Sequence, residues 1–304
     1  MQEREDSGGG RPEGELPLML DAAEAATESL PAELDGQRRI SSDPAAPLHL
    51  RLDALEDIVD SEVGDTDLIR ARNLERRLGF RQIFVKFEGG NPSGTQKDRI
   101  AYAQVMDALR RGFDAITLAT CGNYGVAIAR AAQLAGLHAI VHVPSDYHSR
   151  RLGEIRACHG EIVPVPGDYE TAVLASRERA AREELYDANP GGANSLLQLQ
   201  TYGEIAHEIY DELRDAPAAV AVPVSNGTTL AGIQRGFASL MRRGRTSRMP
   251  RMVAGSSFRK NPLVEAPRKG LVSCADLPPQ RIRQTALNEP LINWHSIDGD
   301  QALA

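Results

Sequence analysis

Three segments of the chain combine residue types able to do chemistry with a spacing that would present them. The first, Glu88-Gly-Gly-Asn-Pro-Ser-Gly-Thr-Gln-Lys97, is a run of small and polar residues that ends on a lysine where a helical pattern begins. An amine at a helix start lies near the positive end of the helix dipole. That disfavours an ammonium there and leaves a free amine able to condense with an aldehyde. The second, Thr120-Cys-Gly-Asn-Tyr-Gly125, has backbone amides and a hydroxyl that can hold a carboxylate at a helix start, and Asn123 adds an amide able to bond a phenolic oxygen. The third, Val224-Ser-Asn-Gly-Thr-Thr-Leu-Ala-Gly232, gathers small residues and hydroxyls before a helix, a nest suited to a phosphate. Each has a plainer explanation too: a solvated lysine at Lys97, a turn residue tolerating left-handed backbone at Asn123, and a capped helix start at Ser225 to Thr229. Their joint occurrence in this order favours the chemical reading.

Such segments act together only if a scaffold gathers them. From residue 83 onward, short β-branched runs alternate with longer segments of helical period, the pattern of a parallel sheet covered by helices on both faces. The runs predict strands over Ile83 to Glu88, Ala115 to Thr120, Ala139 to Pro144, Glu161 to Val165, Ala219 to Val224 and Arg251 to Gly255. Tyr102, Met106 and Leu109 share one face of the helix after Lys97, and Ile128, Ala131 and Ala135 share one face of the next. Gly112, Gly136 and Gly160 each follow a helical segment, where a left-handed cap favours a residue without Cβ. In an open parallel sheet the ligand lies beyond the carboxyl ends of the strands, which is where all three segments fall.

Composition narrows the function classes. Hydrophobic residues are 41% and charged residues 25% of the 304, a globular balance, and no run approaches the roughly 20 apolar residues that span a bilayer. A formal net charge of -7 speaks against a nucleic-acid partner. The five arginines between Met241 and Arg251 read as a solvated loop between a helix and a strand. Cys121, Cys158 and Cys274 lie far apart without disulfide or metal spacing, so no metal is expected and a reducing, cytoplasmic setting is. The charged N-terminus lacks a secretory pattern. Residues 1–45, mixing Gly, Pro, Ser, Glu and Asp, are expected to form a disordered arm with one short helix at Asp21 to Leu30. Nucleotide motifs fail: Thr95 and Gln96 separate Gly94 from Lys97, and no G-x-G-x-x-G follows a strand. Trp294 and His295 read either as pocket lining or as a packed connection. Ser256 and Ser257 lie at a strand's carboxyl end, and His138 and His142 bracket a strand as structural residues.

Taken together, the three segments resemble the fold-type II pyridoxal-phosphate enzymes, a family that includes threonine synthase, cysteine synthase and threonine dehydratase. The resemblance covers residues 60 to 255, and Asn91-Pro-Ser-Gly-Thr-Gln-Lys-Asp-Arg99 is its most specific part. It implies an α/β fold of two doubly wound parallel-sheet domains: a small mobile domain over 91–196 and a large cofactor domain over 46–90 and 197–304. It implies pyridoxal 5'-phosphate carried by Lys97 as a Schiff base. Asn123 would then bond the cofactor's 3-hydroxyl, and Ser225, Asn226, Gly227, Thr228 and Thr229 would hold its phosphate. The substrate carboxylate would bind Thr120, Cys121, Gly122, Asn123 and Tyr124. Gly64-Asp-Thr-Asp-Leu68 resembles the family's entry segment, with Asp67 where a proline is usual.

The implied activity is a lyase or synthase reaction, β- or γ-elimination or replacement on a small amino acid or its O-activated derivative, with Lys97 both anchor and base. Asn-Pro-Ser-Gly and Lys-Asp-Arg are most similar to threonine synthase, although Gln96 stands where an aromatic residue is frequent. Cys121-Gly-Asn-Tyr-Gly125 is similar to the Ser-Gly-Asn-X-Gly of cysteine synthases and dehydratases. A threonine or serine dehydratase is the alternative among enzymes, and a non-catalytic binding or regulatory module the alternative outside them. A homodimer is implied. The family's late segment, with a Ser, Thr or Cys opposite the pyridine nitrogen, is not matched before Asp298-Gly-Asp-Gln-Ala-Leu-Ala304, so an incomplete C-terminus is expected.

Overall fold

A computed structural model describes residues 33–120, 122–146, 151–282 and 291–304. Helix α1 (33–42) leads into α2 (Leu48–Glu62). Part of the expected arm is therefore ordered: the Ser41 hydroxyl donates to the Leu134 carbonyl at 2.7 Å, and Arg38 pairs with Glu62 at 2.5 Å. These partners are distant in sequence, so composition alone could not reveal them. The helix expected at Asp21 to Leu30 lies outside the described residues.

Next come β1 (Leu68–Arg70), α3 (Arg72–Leu78) and β2 (Phe84–Lys86). The run from Ile83 does form a strand, but β2 pairs antiparallel with β1, Ile69 opposite Val85. The expectation of a parallel partner is corrected here. Ile69 and Val85 are both exposed, and a three-residue strand open to solvent on one face lacks the continuous apolar run that parallel strands bury.

The alternating body then follows the sequence pattern closely. It runs through α4 (Lys97–Arg110), β3 (Ala115–Ala119), α5 (Asn123–Leu134), β4 (His138–Pro144), α6 (Arg151–Ala157), β5 (Glu161–Val165), α7 (Tyr169–Glu183), β6 (Tyr186–Asp187) and α8 (Ser195–Leu213). The four strands make a parallel sheet in the order β5-β4-β3-β6. Side-chain alternation along β3 divides its core. Ile116 and Leu118 join the large cluster with α4 and α5, while Ala119 packs with Ala172 and Val173 of α7. Thr117, on that second face, bonds Ser176 and the ring of buried His142.

A second parallel pair, β7 (Ala219–Pro223) and β8 (Arg251–Gly255), flanks α9 (Thr228–Arg242). Leu230, Ile233, Phe237 and Leu240 are buried along α9 at helical spacing. After β8 come α10 (Pro262–Arg268) and α11 (Gly299–Leu303). The fold is α/β with parallel sheets. Among the described residues no helix is long and apolar enough to cross a membrane.

Of the three expected glycine caps, Gly112 and Gly136 have φ of 76° and 63°. Gly160 does not: the left-handed residue is His159, φ 60°. Gly160 is needed for space instead, because a Cβ there would meet Ile155 Cγ2 at 2.7 Å.

Candidate active site

Helices α4, α5 and α9 begin around one cavity of about 400 Å³. Lys97, Thr120, Gly122, Asn123, Tyr124, Ser225, Asn226, Gly227, Thr228 and Thr229 all line it. Cys121 lies outside the described residues. Segments separated by more than a hundred residues in sequence thus share one wall of solvent-accessible space.

The loop before Lys97 is fastened at both ends. The Asn91 side chain accepts from the Gly64 N–H at 3.0 Å and donates to the Glu88 carbonyl at 2.9 Å. Asp98 accepts from the N–H and hydroxyl of Ser93 at 2.9 and 2.8 Å. Arg99, nearly buried, pairs with Glu88 at 2.7 Å and Glu208 at 2.5 Å, while Lys86 also meets Glu208 at 2.5 Å. Burial pushes the Glu208 carboxyl up, but hydrogen bonds from Arg99 and Lys86 outweigh it and hold the group down at about 2. The half-buried Lys97 is thereby set on a rigid start of α4. Its amine donates to the Tyr202 hydroxyl at 3.3 Å and lies 5.7 and 5.8 Å from the ring centroids of Tyr202 and Tyr124.

At the start of α5, Gly122 has φ 128°, and among the described residues no side chain caps the helix. The Gly122 N–H bonds Thr120 Oγ1 at 3.2 Å. Asn123 is exposed to the cavity, and its Oδ1 accepts from Arg151 Nε at 3.0 Å, which leaves the amide nitrogen as the end available to a ligand oxygen. The Tyr124 hydroxyl donates to the Ala188 carbonyl at 2.9 Å and accepts from the Gln104 side chain, and burial pushes its phenol well up.

The start of α9 repeats this design. Gly227 has φ 96°, and α9 too has no side-chain cap. Behind the turn stands a network of buried amides. Asn261 donates to the Ser225 carbonyl at 3.0 Å and to Asn293 Oδ1 at 2.8 Å, and Asn293 reaches Asn226 at 3.3 Å and Ser296 at 3.1 Å. Asp298, 1% exposed, accepts from the Thr228 hydroxyl at 2.5 Å. Burial pushes the Asp298 carboxyl up, with Thr228 and the charges of Lys97 and Arg177 drawing it partly back.

Sequence reasoning did not single out Tyr202, Arg151, Gln198, Asn261, Asn293 or Asp298. None has a local signature, because their roles arise from contacts across the fold. Trp294 and His295 are absent from the cavity wall. Trp294 donates to the Asp168 carboxylate at 2.9 Å and His295 meets Asp276 at 2.8 Å, the packed-connection alternative. Ser256 bonds the Leu291 carbonyl, and neither it nor Ser257 lines the cavity.

This donor set is what a phosphorylated aldehyde requires: an amine on one side and, at α9, an uncapped helix start whose amides can donate to an anion. A side chain at Gly227 would crowd that start, its Cβ meeting Ala302 Cβ at 3.0 Å. Comparison with known proteins decides the family: the pyridoxal-phosphate dependent enzyme profile matches residues 59–300. The chain belongs to that family. Its members use pyridoxal phosphate, and the residues present fit that group.

Threonine synthase of Methanocaldococcus jannaschii is 30% identical over 208 residues, covering 68% of this chain and 51% of that protein. Threonine synthase of Synechocystis sp. is 29% identical over 204 residues, covering 66% of this chain and 53% of that one. The chain spans about half the length of the curated relatives it matches. Among solved structures, O-ureido-L-serine synthase is similar with a TM-score of 0.57 at 25% identity, over 69% of this chain and 65% of that one.

Proposed function

We propose that the chain carries out pyridoxal-phosphate-dependent elimination or replacement at the β or γ carbon of a small amino acid or its O-activated derivative, in the manner of threonine synthase. The observation that carries this reading is the single cavity joining the Lys97 amine to the two uncapped helix starts at Asn123 and Thr228. The threonine synthase relatives support the reaction type.

When bound, the cofactor supplies an aldehyde for the Lys97 amine and a conjugated ring that takes up electron density as a bond at the substrate α-carbon breaks. The chain's own residues do the rest. The amides at Thr228 and Thr229, with the hydroxyls of Ser225 and Thr229, would hold the phosphate. Asn123, its oxygen fixed by Arg151, would donate to the cofactor's phenolic oxygen. The α5 start from Thr120 to Tyr124 would take the substrate carboxylate and so orient the α-carbon. Lys97 would take the α-proton and return it. Tyr124 stays neutral, and Ile100, Leu230, Leu291 and Ile292 limit water around the reacting atoms.

Closure of residues 91–196 over the rest of the chain would shut the cleft. A reducing cytoplasmic setting, supported by the unpaired Cys158 and Cys274, and a homodimer, supported by the family, complete the reading.

The test is a spectral screen. Protein loaded with pyridoxal phosphate is titrated with amino acids and their O-acetyl and O-phospho derivatives while the visible absorption band is followed. The reading expects an O-activated amino acid to perturb the band and release its leaving group. A band that no amino acid perturbs would mark a non-catalytic module instead.

A further inference from the structure

Two tyrosines flank the Lys97 amine, and only one offers it an otherwise unengaged oxygen. Tyr124 already donates to Ala188 and accepts from Gln104. Tyr202, on α8, is fully buried, and among the described residues its hydroxyl has no hydrogen-bond partner except Lys97. Its position is tightly set: α8 and α9 pack so closely that a Cβ on Gly232 would meet Tyr202 Cβ at 2.5 Å. A buried hydroxyl left unpaired is costly, so the bond to Lys97 is also what satisfies Tyr202.

A phenol can accept from an ammonium and donate to an amine, which lets Tyr202 stay bonded to Lys97 in either protonation state. The rings of Tyr124 and Tyr202 also face Nζ, and the buried Asp298 carboxyl feels its charge. We propose that Tyr202 is the positioning residue for Lys97, holding Nζ at the cavity wall and accepting a hydrogen bond from it whenever Lys97 carries a proton. No proton passes between the two groups: Tyr202 keeps its own while Nζ takes up and gives back one from elsewhere. This rests on the reading of Lys97 as anchor and base.

Tyr202→Phe keeps the ring and removes the oxygen, and its melting temperature is expected to stay near that of the wild type. Each protein is mixed with pyridoxal phosphate across a pH series and reduced with borohydride, and the fraction of Lys97 carrying the pyridoxyl mark is read by mass spectrometry. Only the neutral amine condenses. Without its partner Nζ is held less firmly, so at each pH the fraction marked after a fixed short exposure is expected to fall several-fold in Tyr202→Phe. A Tyr202→Phe profile that superimposes on the wild type overturns the proposal. A wild type left unmarked at Lys97 overturns the underlying reading as well, so the two failures are distinguishable.

Discussion

The two uncapped helix starts at the cavity share their first residue and differ in what stands behind it. Both open on a glycine with positive φ, Gly122 for α5 and Gly227 for α9. Behind Gly227, the side chains of Asn261, Asn293, Ser296 and Asp298, all nearly buried, tie the turn to the 291–298 segment. Behind Gly122 the support comes mainly from the sheet and the turn itself: Asn189 accepts from Ala119, and the Thr120 N–H bonds His142. Among the described residues the Asn123 side chain bonds only Arg151, at an exposed position. A buried, over-determined turn suits a group that is always the same, the phosphate. A more open turn suits a substrate that enters and leaves.

Glycine substitutions should separate the two ends most strongly. Gly227→Ala puts a Cβ at a left-handed position, about 1–3 kcal/mol of strain, and should weaken pyridoxal phosphate binding about 10- to 100-fold by fluorescence titration. Gly122→Ala, next to Asn123, should weaken the cofactor clearly less than Gly227→Ala does and chiefly raise the KM for the amino acid. If both variants lose the cofactor equally, the division of labour fails.

Asn293→Ala comes next. It leaves Asn261 and Asn226 short of a partner, a loss of about 1–3 kcal/mol, and should weaken the cofactor about tenfold while the amino-acid KM at saturating cofactor is unchanged. The smallest effect belongs to the third helix start, at α4. The Glu208 carboxyl sits at about 2 against an ordinary 4.5, so its stabilisation is fully present above the ordinary value and is lost as pH falls through 2. Glu208→Gln should therefore flatten the change of melting temperature between pH 4.5 and pH 2. An unchanged slope would remove Glu208 from the clamp on Arg99.

The same contrast governs how far the sequence could be read. The turns at Asn123 and Ser225 were legible because glycine, hydroxyl and helix-start signals lie within a few residues of one another. β3 and β4 were legible because burial on both faces enforces an apolar run, and β5, a half-buried edge strand, was legible from its Ile162-Val163 pair. β6, two residues at Tyr186 and Asp187, is too short to leave a periodic signal, and β2 had the composition of a strand without the burial that dictates its partner. The supports of the site escaped notice for a related reason. Asn293 lies 67 residues from Asn226, and Tyr202 lies 105 residues from Lys97, so only the folded chain makes either pair visible.

The central claim is that the cavity presents one particular amine to the cofactor. The chain has four lysines, Lys86, Lys97, Lys260 and Lys269, so the claim can be tested by site. Protein is mixed with one equivalent of pyridoxal phosphate, reduced with borohydride, digested and mapped by mass spectrometry. The account predicts a pyridoxyl mark on Lys97 with the other three essentially unmarked. A mark on Lys86, Lys260 or Lys269 with Lys97 left bare would contradict it.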